Sequence, residues 1–117
     1  MRRMSFALTT NQVAAETKTV TRRLGWPNLV EGDRISAVSK GMGFKKGEKA
    51  PPPLKLIEVV SNRPEQLDAI TDADVVLEGF PGRDAAWFVA MFCRGMKCDP
   101  TTLVNRIEFR YVGPLPS

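Results

Sequence analysis

The stretch Thr17–Trp26 constrains this chain more than any other segment. It reads Thr-Lys-Thr-Val-Thr-Arg-Arg-Leu-Gly-Trp and is followed shortly by the pair Gly32-Asp33. β-Branched threonine and valine favour extended backbone, so the pattern predicts a strand over Lys18–Leu24 that a short helix leads into. Hydroxyl and guanidinium groups on such a strand suit an anionic or polar ligand.

Length and composition place the chain among ordinary globular proteins. The 117 residues predict one domain, residues 1–117, because chains of this size usually form one compact unit. Hydrophobic residues make up 43% and charged residues 26%. No apolar run approaches the ~20 residues of a membrane span, and no apolar segment follows the basic N-terminus as it does in a secretory signal. We therefore predict a cytoplasmic protein with no membrane partner.

The net charge of +4 is unevenly distributed. The segment Lys40–Lys55 carries five lysines and one glutamate, whereas Glu65–Asp84 carries six acids and one arginine. Such polarity can orient a polyanion on one face, and a solvated basic loop beside a solvated acidic helix explains it equally well. Phe44 lies beside Lys45 and Lys46, and an aromatic flanked by cations is typical of a contact with single-stranded nucleic acid.

Residue types limit the chemistry that is available. The chain has no histidine, and its cysteines, Cys93 and Cys98, do not match a CxxC motif. Serine–histidine and cysteine–histidine catalysis are therefore excluded, and proton transfer must use lysine, a carboxylate, the tyrosine, a thiol or water. The cysteine spacing favours two reduced thiols over a zinc site. We predict no metal and no cofactor.

The predicted order of elements is a strand, a short helix, several strands, two helices and a last strand. The helices are expected to end near Thr17, at Gly79 and at Gly95. The last helix is apolar nearly all round, so it is packed deeply or forms an interface, and a dimer is one arrangement open to it. Strands separated by glycine-rich turns predict an α+β, β-rich fold built on a small mixed β-barrel. One helix follows the first strand, and two helices precede the last.

Four motifs occur in order along the chain: Lys18-Thr19-Val20-Thr21-Arg22-Arg23, Gly32-Asp33, Leu77-Glu78-Gly79-Phe80 and Ile107-Glu108-Phe109. Together they resemble the ASCH domain family of the PUA-like superfamily, in the short stand-alone form found in bacteria and phages. The resemblance covers nearly the whole chain. It implies a PUA-like barrel with a cleft beside the first helix and the K-T-x-T strand. It also implies that the partner is RNA or another nucleic acid, or a modified nucleoside.

One bacterial branch of the family, similar to this chain in length, hydrolyses the acetyl amide of N-acetylcytidine with a lysine, a threonine and a glutamate. By motif match these residues are Lys18, Thr21 and Glu78. A lysine amine whose pKa burial lowers can take the threonine proton, and a glutamic acid can donate to the departing amine. In a regular strand Lys18 and Thr21 point to opposite faces. They converge only if Lys18 lies in the helix-to-strand turn or a bulge intervenes.

The same strand supplies the candidate ligand contacts. Arg22 and Arg23 suit phosphate, because guanidinium groups pair bidentately with its oxygens, although exposed strand charges are the plainer interpretation. Thr19 shares a strand face with Thr21, and Trp26 either stacks on a base or closes the barrel. Two classes of function stay open: a module that binds RNA or a modified nucleoside, and an enzyme. As an enzyme, the chain is an amidohydrolase acting on acylated cytidine or a ribonuclease, as other ASCH proteins are reported to be.

Overall fold

The computed structural model describes residues 1–39, 46–47, 49 and 52–113. Its strands β1 to β5 span Arg3–Ser5, Val20–Arg23, Arg34–Val38, Lys55–Gln66 and Leu103–Tyr111. Its helices α1 to α3 span Thr10–Ala14, Asp72–Leu77 and Ala85–Met96, and short 3-10 helices occupy Ala7–Thr9 and Leu67–Ala69. In the part of the chain described here, no helix combines the length and the apolar character that a bilayer crossing requires.

The five strands form one sheet in the order β1-β3-β4-β5-β2. The β1–β3 pair is parallel, and the other three pairs are antiparallel. This arrangement confirms an α+β fold with one helix after the first strand and two before the last. The predicted β-barrel is wrong, because the sheet is not closed: β1 and β2 are its two edges.

The sheet stays open because its edge strands are short and a cavity separates them. β1 has 3 residues and β2 has 4, whereas closure requires the edges to tilt and to share a hydrogen-bond ladder. Side chains from the end of β1 and from β2 line the same cavity. The Arg23 guanidinium lies 4.7 Å from the centroid of the Phe6 ring, so side chains span the distance that backbone pairing does not.

Two apolar clusters hold the elements together. The first packs α1 against the sheet and contains Met4, Phe6, Val13, Leu29, Ile35, Ala37, Ile57, Val59, Ile107 and Phe109. The second lies beneath α2 and α3 and contains Leu67, Ile70, Val75, Phe88, Phe92 and Val104. Phe88 and Phe92 also line the cavity. Helix α3 is therefore a packed element that forms one wall of the cavity.

Capping residues set the ends of α2 and α3. The Thr71 side chain accepts a hydrogen bond from a backbone N–H of α2, and Asp84 does the same for α3. Gly79 follows α2 with a φ of 103°, and a Cβ there would lie 2.9 Å from the side chain of Gln12, so the predicted glycine stop is confirmed. Helix α3 continues past Gly95 and ends where Lys97 adopts a left-handed φ of 53°.

Candidate functional site

A cavity of about 360 Å³ opens between the two edge strands and helix α3. Most of its wall is apolar and aromatic, formed by residues that include Phe6, Trp26, Phe80, Phe88, Met91 and Phe92. The charged groups that line it, with the hydroxyl of Thr21, lie just before β2, on β2 and at the end of α2: Lys18, Thr21, Arg22, Arg23 and Glu78. A concave apolar cavity with a few convergent polar groups is the usual form of a small-molecule site.

Lys18 and Glu78 form a buried ion pair in this cavity. Lys18 Nζ lies 2.7 Å from Glu78 Oε1 and 2.8 Å from the Glu78 carbonyl oxygen. The two side chains are only 4% and 3% exposed. Burial lowers the pKa of Lys18, and attraction to Glu78 reverses only part of that effect. The amine and the carboxyl are therefore close enough to exchange a proton.

Lys18 reaches the cavity because it precedes the strand. Helix α1 ends early, Glu16 turns the chain with a left-handed φ of 60°, and β2 begins only at Val20. The Tyr111 hydroxyl donates to the Lys18 carbonyl oxygen over 2.6 Å and holds this connection against β5. Lys18 is thus outside the two-face alternation of the strand. It lines the same cavity as Thr21, as the interpretation based on a helix-to-strand turn requires.

Thr21 and Arg23 contact each other beside the ion pair. Arg23 Nε donates to Thr21 Oγ1 over 3.0 Å, which leaves the Thr21 hydroxyl proton available for another acceptor. Thr21 is 3% exposed. Burial lowers the pKa of Arg23 to about 10, so its guanidinium is still charged at neutral pH.

Arg22 enters a different environment, since successive strand side chains point to opposite faces. Its side chain is 0% exposed and contacts three carboxylates. Its nitrogens donate to Glu78 Oε2 at 3.0 Å, Glu65 Oε2 at 2.7 Å and Asp74 Oδ2 at 2.6 Å. Arg106 lies opposite Arg22 on β5 and also donates to Asp74, at 2.8 Å. Hydrogen bonds from Arg106 and Arg22 lower the pKa of Asp74 to about 2. We call Arg22, Glu65, Asp74, Glu78 and Arg106 the Arg22 network.

Trp26 lines the cavity from a left-handed turn. Gly25 has a φ of 101° and Trp26 a φ of 64°, a conformation that non-glycine residues adopt at a cost of about 1–3 kcal/mol. Two asparagines hold the turn in place. Asn62 Nδ2 donates to the Trp26 carbonyl at 2.9 Å, and Asn105 Nδ2 donates to the Gly25 carbonyl at 2.6 Å. The backbone that carries the indole is therefore held in place.

The structure brings six of the predicted site residues to one cavity: Lys18, Thr21, Arg22, Arg23, Trp26 and Glu78. Thr19 is absent from the lining, and its backbone instead hydrogen-bonds to α2 and β5. Lys46 is exposed and also absent from the lining. Phe44 and Lys45 lie outside the described residues.

Sequence reasoning missed the partners of Arg22. The contacts of Arg22 with Asp74 and Glu65 span 52 and 43 residues, and the contact of Arg106 with Asp74 spans 32. No local pattern signals a contact over such a distance. The excess of acids in residues 65–84 was the nearest available signal.

The thiols and carboxylates of the described residues do not gather into a metal site. In the described ranges, no group of three or more histidine, cysteine, aspartate or glutamate residues is placed to hold a metal ion. Cys93 and Cys98 are free thiols near the end of α3, and burial raises the pKa of Cys93. The polar groups that the described residues bring to the cavity are amine, hydroxyl, carboxyl and guanidinium groups.

Comparisons with known proteins identify the fold. No protein-family model and no curated protein sequence matches the chain. Among solved structures, it is similar to a DUF984 protein from Enterococcus faecalis, with a TM-score of 0.69 and 12% identity over 96% of this chain and 76% of that one. It is also similar to an ASCH domain from Lactobacillus crispatus, with a TM-score of 0.59 and 14% identity over 94% of this chain and 78% of that one.

The chain has an ASCH-like fold. The resemblance based on the four motifs and the similarity based on backbone geometry point to the same fold. A shared fold hosts many functions, so the function has to be argued from the cavity itself.

Proposed function

We propose that this protein binds one nucleobase, in a nucleic acid or in a modified nucleoside, within the cavity beside β2. The observation that carries the proposal is that Lys18, Thr21 and Glu78 meet in a single cavity with an aromatic wall. A flat heterocycle needs both features, because its faces are apolar and its edge is polar.

The dimensions and walls of the cavity suit such a guest. Its volume of about 360 Å³ lies within the range of small-molecule sites. Asn62 donates to the backbone carbonyl of Trp26, and Phe88 and Phe92 of α3 also line the cavity. Stacking of one base on an aromatic side chain contributes roughly 1–3 kcal/mol. Stacking alone is not selective, so the polar groups must distinguish one base from another.

The polar groups provide both donors and acceptors. Lys18 Nζ carries three N–H bonds and uses two hydrogen bonds on Glu78. Thr21 has a hydroxyl proton to donate, and Glu78 presents oxygens that accept. A base edge that alternates donors and acceptors can satisfy this set, whereas a hydrocarbon guest would leave it unpaired at a cost of about 1–3 kcal/mol per group.

Tryptophan fluorescence offers a direct test. Trp26 lines the cavity and Trp87 does not, so in a Trp87→Phe variant the emission reports on Trp26 alone. We expect titration with the correct nucleoside or short RNA to quench this emission. An RNA ligand that contacts phosphate-binding cations should also bind more weakly as salt rises. The proposal fails if none of the four ribonucleosides, N-acetylcytidine, or RNA and DNA oligomers changes the emission.

A second candidate function is hydrolysis of an acylated cytidine. The specific observation is the 2.7 Å contact between Lys18 Nζ and Glu78 Oε1, both buried, in the cavity that also holds the Thr21 hydroxyl. Because burial lowers the pKa of Lys18, its neutral amine is more accessible than that of an exposed lysine. Arg23 Nε donates to Thr21 Oγ1 and so stabilises negative charge that develops on this oxygen.

Thr21, Lys18, Glu78 and one water molecule account for every bond that forms or breaks. Thr21 Oγ1 bonds to the acetyl carbon while its proton passes to the Lys18 amine. The C–N bond breaks, and a proton returned through Lys18 and Glu78 completes the amino group of cytidine. Water then hydrolyses the acetyl ester on Thr21 and releases acetate.

Paired variants separate catalysis from binding. Thr21→Val removes the hydroxyl at nearly constant shape, and Thr21→Ser retains it. We expect N-acetylcytidine to yield cytidine and acetate with wild type and Thr21→Ser, and activity to fall at least about 10³-fold with Thr21→Val. Release of cytidine at the wild-type rate by Thr21→Val would remove Thr21 as the nucleophile. If wild type binds N-acetylcytidine without hydrolysing it, the hydrolase function is wrong and the binding function remains.

A further inference from the structure

Among the described residues, one positive charge at the cavity has no counter-charge. Around it the structure places four cations and three carboxylates: Lys18, Arg22, Arg23 and Arg106, with Glu65, Asp74 and Glu78. The three carboxylates are occupied by the Lys18 pair and by the Arg22 network. Arg63 and Glu108 contact the outer margin of the network and add one charge of each sign. The unbalanced charge is that of Arg23.

The surroundings of Arg23 differ from those of every other cation in this group. Its contacts within the described ranges are the hydrogen bond from Nε to Thr21 Oγ1 and the face of the Phe6 ring. Glu78 attracts it only from beyond ion-pair distance. Its two Nη groups have no hydrogen-bond partner within the described ranges, although Arg23 lines the cavity.

A charged group in such a place is unfavourable without a partner. An apolar environment penalises an ion strongly unless an opposite charge or several hydrogen bonds compensate. Burial lowers the pKa of Arg23 to about 10, which leaves it charged near neutrality. The Nη groups of a guanidinium form a planar pair of donors that matches two oxygens of a phosphate. Arg22 cannot take this role, because carboxylates already occupy its nitrogens.

We propose that the ligand of the cavity carries a phosphate group and that this phosphate binds the Nη groups of Arg23. Because a nucleoside unit must stand in the cavity for its phosphate to reach Arg23, this inference rests on the proposed function. The phosphate has two sources, a free nucleoside monophosphate or the backbone of an oligonucleotide.

Calorimetric titration measures the contribution of the phosphate. The probes are the four ribonucleosides, their 5′- and 3′-monophosphates, trinucleotides and inorganic phosphate. With wild type, we expect a monophosphate to bind at least about tenfold more tightly than its own nucleoside, as a charge-assisted bidentate pair implies. In Arg23→Gln this gain, measured against the nucleoside affinity of the same variant, should fall below about threefold.

Three further measurements keep the result interpretable. Arg34→Gln makes the same substitution at an arginine with a 55% exposed side chain outside the cavity, and it should retain the full gain. The ligand-free Arg23→Gln protein should melt no lower than wild type, because an uncompensated charge is removed. Arg23→Lys keeps the charge without the paired donors. In this variant the phosphate should raise the logarithm of the affinity by less than half as much as it does in wild type.

The outcomes separate the two proposals. If nucleosides bind and the phosphate adds nothing, or if its gain survives Arg23→Gln, the inference is overturned and the proposed function stands. If no nucleoside or oligonucleotide binds but inorganic phosphate binds in an Arg23-dependent way, the phosphate contact stands and the proposed function fails. If nothing binds, both fail. Preference for a trinucleotide over every monophosphate assigns the phosphate to a polymer, and the reverse preference assigns it to a free nucleotide.

Discussion

Arg22 and Arg23 are neighbours on one strand, and their environments are opposite. The Arg22 side chain is fully buried and contacts three carboxylates. Arg23 lines an apolar cavity with a threonine hydroxyl and a phenylalanine ring as its contacts in the described ranges. Within the described residues, the first arrangement pairs the cation with carboxylates, and the second holds a cation with no carboxylate at ion-pair distance.

If the proposed function holds, one strand serves both structure and binding. The Arg22 network joins β2, β4, β5 and α2 through side chains on all four elements. It thereby fixes the position of Glu78, whose other oxygen meets Lys18. The cavity side can then retain unsatisfied donors, because the network behind it supplies rigidity. Functional sites generally keep such unfavourable features only where the surrounding structure holds them in place.

The largest expected effect comes from breaking the network. Arg22→Met leaves three carboxylates without their shared cation, and loss of one partner from a buried ion pair costs about 3–5 kcal/mol. We expect the melting temperature to fall by about 10 °C or more. Arg34→Met is the matched control, because Arg34 pairs with Glu58 at the surface and exposed pairs contribute only about 0–1 kcal/mol. If the two variants melted at the same temperature, the Arg22 network would stabilise the fold no more than a surface ion pair does. The contrast drawn here between the network and the cavity would then be wrong.

An intermediate effect is expected from acid. The pKa of Asp74 is about 2 in the folded protein, against 3.8 for an unperturbed aspartate. A lowered pKa contributes stability that is complete above the unperturbed value and is lost as pH falls through the folded value. Wild type should therefore lose this contribution between about pH 4 and pH 2. Asp74→Asn should be less stable at pH 7 and should show a shallower decline in that window, as measured by urea unfolding at each pH. A parallel decline in both proteins would contradict the role assigned to Asp74.

The smallest stability effect is expected on the cavity side. Asn105→Ala removes the hydrogen bond to the Gly25 carbonyl and should destabilise the fold by about 1 kcal/mol. Its main consequence should be local, because the turn that positions Trp26 is released. In the Trp87→Phe background we expect the Trp26 emission to shift to longer wavelength and to be quenched more strongly by acrylamide. The affinity for the nucleoside should also be weaker. Asn11→Ala is an exposed control on α1. Unchanged quenching in Asn105→Ala would show that the turn keeps its shape without the hydrogen bond from Asn105.

The local sequence predicts much of this site and little of its electrostatics. The glycine after α2, the capping residues and the element order follow from local preferences, and they place Glu78 at a helix end. The predicted strand began at Lys18, two residues before β2. That small difference matters, because the side chain of a residue before the strand does not have to follow the alternation of side chains between the two strand faces. The prediction of a barrel was wrong because closure depends on whether the edge strands β1 and β2 pair with each other. No local sequence pattern indicates whether two distant strands pair.

By itself, the sequence determined which chemical groups are available: no histidine, and a segment of amine, hydroxyl and guanidinium groups ahead of an acidic stretch. It also determined the end of α2, since a left-handed glycine acts over a few residues, whereas α1 ends before Thr17 and α3 continues past Gly95. Only the tertiary structure decided which of two adjacent arginines is neutralised. That outcome depends on contacts spanning 43 to 56 residues, and alternation along a strand separates the two side chains without indicating what each one meets.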